Sequence, residues 1–197
     1  MKKIEALQIL QKSGRNIFSL SDLARLLQIE SDNTAYVKAN RLVRDGLLTR
    51  LAKGCYCLKD NMPMDFELAN FLYRPSYISL ESALNHYGIL TQVPQSIISV
   101  TPNRARRIMA LNKEFAYRHL ALKYFSDFIK IQNFIIATPE KALIDTIFFA
   151  SYGWTSISPE EWMLGNIDIK KLEGLAKKIE SRVFQEFFKS LKNMLKT

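Results

Sequence analysis

Apolar positions fall at helical spacing three times within the first sixty residues. Ile4, Ala6, Leu7 and Leu10 line one face of residues 2–12, and Ser13-Gly14 stops that segment. Ser19 follows as an N-cap, with Asp22 three residues on as an acidic form of the capping box. The helix it starts, Leu20 to Leu27, directs Leu23, Leu26 and Leu27 inward. After the turn QIESD, Ser31 or Asp32 caps a third helix that runs to Asp45 and ends at Gly46, as a C′ glycine does. Stepping about 100° per residue from Ala39 groups Ala35, Leu42 and Val43 on the inner side. Thr34, Val37, Arg41 and Arg44 fall opposite, with Lys38 and Asp45 flanking. The small Ala35 and Ala39 let another helix approach closely.

The period then changes. Leu47 to Arg50 and Cys55 to Leu58 read as two short strands joined by Ala52-Lys53-Gly54, with Gly54 free to take positive φ. Three helices and a hairpin in some sixty residues follow the winged helix-turn-helix plan. Asp60-Asn61-Met62-Pro63 reads as a linker, which divides the chain into residues 1–60 and 61–197. The second part mixes both periods. Tyr77-Ile78-Ser79 is extended, Ser79 caps a helix through Ser82-Ala83-Leu84, and Gly88 ends it. Ser96 to Thr101, Phe115 to Leu120 and Phe134 to Ala137 read as strands. Thr138-Pro139-Glu140 opens a helix that continues through Ala142 to Ala150: Thr caps, Pro takes N1, and Glu lies at the positive end. Residues 159–196 read as two or three helices, the last carrying Val183, Phe184, Phe187, Phe188 and Leu191. The expected class is α+β: an N-terminal winged helix-turn-helix, a mixed α/β C-terminal domain and a helical tail.

Charge changes the picture. The chain of 197 residues carries a net charge of +9, a field that favours polyanions, nucleic acid first. The excess sits forward. Residues 1–60 hold eleven Lys and Arg against six Asp and Glu, whereas residues 131–197 hold nine against eight. On the third helix, Arg41 can pair in bidentate fashion with guanine, Val37 or Thr34 can touch a thymine methyl, and Lys38 and Arg44 can reach phosphates. Arg50 and Lys53 at the hairpin can lie over the backbone or the adjacent minor groove. Arg104, Arg106 and Arg107 form a second cationic cluster, open to three readings: DNA phosphate, an acidic or RNA partner, or a loop or helix start with surface charge. A winged helix can also serve as a protein-docking module.

Candidate chemistry removes other classes. Cys55 and Cys57, at i and i+2, point to one face of a strand, lie awkwardly for mutual bonding and have no His beside them, so they read as packing thiols with no metal. Glu140 and Asp145 lie about 140° apart around a helix and do not converge as an acid–base pair. Asp145 lies among apolar neighbours and needs a partner such as an Arg if buried. His86 and His119 stand apart from other ligands in sequence. The seven glycines form no phosphate-cradling loop and the serines no nucleophile elbow, so neither catalysis nor a cofactor is expected. MKKIEALQIL lacks the h-region of a signal peptide, and Ile131 to Ala150 contains Pro and charges that rule against a membrane span. A reduced, cytoplasmic protein is expected.

One family resemblance runs through about residues 5–150. LARLLQIESDNTAYVKANRLVRDGLLTRLAKGCYCL is shared with many winged-helix regulators. PSYISLESALNHYGIL, SIISVTPNRARR, FAYRHL and IATPEKALIDTIFF follow in the order and spacing of abortive-infection AbiE-type antitoxins. The tail from Tyr152 resembles that family only in being helical. The resemblance implies an operator-binding autorepressor acting on double-stranded DNA, with inverted repeats as the site. It further implies an antitoxin opposing a nucleotidyltransferase-like toxin in a type IV pair without a stable complex, with the second domain linked to the antitoxin effect.

Overall fold

The computed structural model describes residues 3–165 and 167–192 and is a mixed α+β fold. The expected start at Lys2 and the end of the tail beyond residue 192 lie outside the described residues. The front of the chain runs α1 (Lys3–Lys12), β1 (Ile17–Ser19), α2 (Leu20–Leu26), α3 (Asp32–Arg44), β2 (Leu48–Ala52) and β3 (Cys55–Leu58). Each boundary has a local cause. The Ser19 side chain accepts from the Asp22 amide while Asp22 accepts from the Ser19 amide, completing the capping box of α2. Of the two cap candidates for α3, Ser31 is the one used. Asp45 is the C-cap. Gly46 follows at φ +71°, its amide donating to Val43, and the Leu47 amide reaches back to the Leu42 carbonyl at 2.9 Å. That pair of bonds is the Schellman closure, and Leu42 and Leu47 meet in the same core beneath it.

β1, β3 and β2 form an antiparallel sheet with β3 in the middle. Strand alternation sends the side chains of β3 into two different places. Tyr56 and Leu58 join Phe18, Leu23, Ala39 and Leu42 in a small core under the three helices. Cys55 and Cys57 point the other way, with Ile17 and Leu51, into a larger core shared with the rest of the chain. A bulge between Arg50 and Ala52 accompanies the turn of Leu51 into that larger core. The strand therefore runs to Ala52, two residues further than its sequence pattern suggests.

Beyond residues 59–64, which open with a turn, come α4 (Asp65–Leu72), β4 (Tyr77–Ile78), α5 (Leu80–His86), β5 (Ser96–Thr101), β6 (Arg106–Ala110) and β7 (Lys113–His119). They are followed by β8 (Phe128–Ile131), β9 (Phe134–Ala137), α6 (Pro139–Ser151), α7 (Ile169–Lys177) and α8 (Arg182–Leu191). Six strands make one sheet in the order β6-β7-β5-β4-β9-β8. The β5–β7 and β4–β9 pairs are parallel and the other pairs antiparallel. Helix α4 covers one face, where the Tyr117 hydroxyl donates to the Ala69 carbonyl at 2.7 Å. Helix α6 covers the other, where Asp145 receives the Tyr77 hydroxyl. Helices α7 and α8 pack outside α6, and α8 buries Phe184, Phe188 and Leu191 while Val183 faces solvent. Among the described residues no helix is long and apolar enough to cross a membrane.

Candidate nucleic-acid interface

Helix α3 buries Ala35, Ala39 and Leu42, and α2 packs against it. Burying that stripe fixes the rotation of the helix, so the opposite side must face water. Thr34, Val37, Arg41 and Arg44 are all exposed there, and Val37 is 60% exposed with nothing apolar covering it. Lys38 is half-buried on the flank and makes an interaction within the chain. The Thr34 hydroxyl lies 3.2 Å from the capping Ser31 hydroxyl. Arg41 Nε stands 3.7 Å from Asp45 Oδ2 at the helix end, an open pair worth less than about 1 kcal/mol that a phosphate can displace. Arg44 has no side-chain hydrogen bond or ion pair to other described residues.

The hairpin completes the surface. Arg50 pairs with Tyr56 across β2 and β3, on the face of the sheet turned toward the helices. Its Nε reaches only the Ala52 carbonyl, at 3.4 Å. Lys53 is exposed at the turn, where Gly54 takes φ +71°, a conformation glycine adopts without the Cβ penalty. Tyr36, which the periodicity argument did not single out, is exposed on the flank of α3 next to this strand. Burial pushes the Tyr56 hydroxyl up in pKa, while Arg50, its cross-strand partner, opposes the shift and Tyr36 adds to it. Asn40, half-buried beside Tyr36, also borders the face, and an Asn can pair in bidentate fashion with adenine.

The second cationic cluster belongs to the other sheet. Arg104 precedes β6, and Arg106 and Arg107 open that strand rather than a loop or a helix. All three are exposed. The Arg106 guanidinium lies over the Tyr73 ring at 5.6 Å, Tyr73 donates to the Arg104 carbonyl at 3.1 Å, and Arg107 faces Glu114 at 3.7 Å. Because β6 runs beside β2, the cluster borders the edge of the first sheet, but it is not part of the α3 face.

The residues that invited a chemical reading are committed to the fold. Asp145 is 1% exposed and accepts from Lys141 Nζ at 2.5 Å, Ser79 Oγ at 2.8 Å and the Tyr77 hydroxyl at 2.9 Å. The partner expected to be an Arg is thus Lys141, one turn earlier on the same helix. Ser79 occupies the cap position of α5, but its hydroxyl goes to Asp145 and not to the helix amides. Burial raises the Tyr77 hydroxyl well above the usual tyrosine range, and the Asp145 carboxylate adds to this. Glu140 does more than favour the start of α6: it holds Lys171 at 2.6 Å and accepts from the Asp168 amide, tying α6 to α7. His86 packs edge-on against Phe66 and Tyr87, and His119 Nδ1 meets the Asn103 carbonyl at 2.8 Å. Among the described residues no three His, Cys, Asp or Glu side chains group as metal ligands would.

No protein-family model matches this chain, and no curated protein is significantly similar to it.

Proposed function

We propose that this chain is a winged-helix, sequence-specific DNA-binding protein that represses transcription of its own operon in the cytoplasm. In this reading it serves as the antitoxin of a type IV pair of the abortive-infection AbiE type. The observation that carries the DNA-binding part is the exposed side of α3, with Thr34, Val37, Arg41 and Arg44, beside the Arg50–Lys53 hairpin. A B-form major groove, about 12 Å wide, admits one α-helix. With α3 in it, Arg41 faces guanine edges, Val37 and the Thr34 methyl face thymine methyls, and Arg44 and Lys38 lie toward phosphates. The hairpin then follows the flanking backbone with Arg50 and Lys53. The order α1, β1, α2, α3, β2, β3, with a three-stranded sheet closed by a hairpin, is the local support for the winged-helix reading. Residues 1–60 form the DNA-binding unit in this reading, and residues 61–197 the antitoxin unit. The antitoxin role, the inverted-repeat operator and the nucleotidyltransferase-like toxin rest on the resemblance described above.

The test is an electrophoretic shift with the protein's own upstream promoter. Arg41→Ala together with Lys53→Ala abolishes the shift while the melting temperature stays near that of the parent. A chain that never shifts the promoter, even in dilute salt, overturns the reading and favours a docking module that neutralises a toxin by direct binding. In a toxin-rescue assay, the double variant retains part of the protective effect. Complete loss of rescue assigns that effect to repression alone.

A further inference from the structure

The segment joining α1 to β1 meets the open end of the second sheet around a groove of about 680 Å³, inside the range typical of small-molecule sites. Its walls differ in chemistry. One is aromatic. Phe128 is 38% exposed; one side of its ring is stacked on the buried Tyr77 at 5.1 Å and 26°, and Phe125 packs against it at 5.2 Å. A ring backed in this way is rigid. The rest of the lining holds cations. The Arg74 guanidinium lies over Phe71 at 5.0 Å with Nε on the Asn70 carbonyl, and Lys130 stands two residues after Phe128 on the same face of the edge strand β8. Neither cation has a carboxylate partner among the described residues. Arg15 also borders the groove, paired with Asp22 at 3.1 Å, and Glu67 borders it while holding Asn16. The local balance is positive. Ser76 also lines the groove, with its hydroxyl sealed from solvent and without a hydrogen-bond partner among the described residues.

Each feature alone admits many ligands; together they admit few. An uncharged apolar molecule leaves two cations unmet. A bare phosphate leaves the aromatic wall unused. We propose that this groove binds a nucleoside phosphate, with the base on Phe128 and the phosphate on Arg74 and Lys130. Stacking on an exposed ring is tolerant of base identity, and charge-assisted bonds from Arg and Lys to phosphate are among the strong ones. The inference does not depend on the DNA-binding reading, since α3 and the hairpin tip contribute no side chain to the groove.

Isothermal titration of the full chain tests it, with AMP, ATP, GTP and inorganic tripolyphosphate as probes. At least one nucleotide binds, and tripolyphosphate binds it more weakly by about tenfold, because it forgoes the stack. Lys130→Glu, an exposed change on an edge strand, weakens nucleotide binding by at least about tenfold without lowering the melting temperature. Arg74→Gln provides a second, uncharged variant with the same expected loss. Absence of heat with all three nucleotides at millimolar concentration overturns the proposal. So does equal binding of tripolyphosphate, or binding that both variants leave intact. Binding of a single-stranded oligonucleotide where the mononucleotides fail also overturns it, in favour of a polymer site.

Discussion

Lys141 and Asp145, one helical turn apart on α6, meet at 2.5 Å with both side chains sealed from water. The pair is not alone: Lys141 Nζ also donates to the Tyr124 carbonyl at 2.8 Å, and Asp145 takes two further hydroxyl donors from the β4 segment. A buried ion pair adds little net stability when whole, because desolvation offsets the attraction, but removing one member strands the other. Asp145→Ala therefore leaves a buried ammonium and two hydroxyls without their acceptor. The expected loss is about 3–5 kcal/mol, against a total near 5–15 for a typical domain. Urea unfolding measures it. Lys141→Met combined with Asp145→Leu costs less than Asp145→Ala alone, and a double variant that is worse than the single one contradicts the account.

Glu140 gives a pH signature. Burial raises its pKa, but the Lys171 hydrogen bond and the backbone amides outweigh burial and hold the carboxyl below its ordinary 4.5. A carboxyl depressed in the folded state contributes stability that is present above the unfolded pKa and lost as pH falls through the folded one. The α6–α7 junction thus weakens below about pH 4.5. Glu140→Gln should lower stability at neutral pH by about 1–3 kcal/mol and flatten the part of the acid profile that Glu140 supplies. Urea midpoints measured from neutral pH down to acid compare the two proteins.

Several of these features were legible in the residue order, and others were hidden for physical reasons. Helices α1 to α3 announced themselves through long amphipathic stripes bounded by Ser19, Ser31 and Gly46, all features that act locally. The strand β1 is three residues long and reads as a prelude to the Ser19 cap until β3 is seen beside it. Helix α4 places the polar Asn70 on its buried side, where it accepts from the Ile135 amide and donates to the Ser76 carbonyl, so no clean apolar stripe marks it. Strand β6 opens with two arginines, because an edge strand leaves one side to solvent. The exposed side of α3 was readable from 3.6-residue periodicity alone. The register that sets Arg50 opposite Tyr56 was not, since it depends on how β2 pairs with β3 and on the bulge after Arg50.

Cys55 and Cys57 carry the next expectation. Burial pushes the Cys55 thiol up to about 12 and the Cys57 thiol up to about 11. The thiolate is the reactive form, and at neutral pH almost none exists at either position. Both should resist a thiol-specific reagent in the native protein and react together once the chain unfolds in denaturant. Stoichiometric labelling under native conditions contradicts the burial of β3 against the larger core.

The proposed DNA face makes a prediction that separates phosphate contacts from base contacts. Each phosphate neutralised releases counterions, so the slope of log K against log salt steepens by about 0.9 per contact on duplex DNA. In the proposed complex Lys53, exposed at the hairpin turn, lies over the flanking backbone. Lys53→Ala therefore weakens operator and unrelated DNA alike and reduces the slope by about one contact. In the proposed complex Arg41, in the last turn of α3, makes a bidentate pair with guanine that costs about 1–3 kcal/mol to lose. Arg41→Ala thus weakens the operator far more than unrelated DNA and narrows the ratio between them. Titrations at several salt concentrations, with the operator and a scrambled duplex, read both effects. If the two substitutions change slope and ratio in the same way, the division of labour between helix and hairpin is wrong, even where both residues touch DNA.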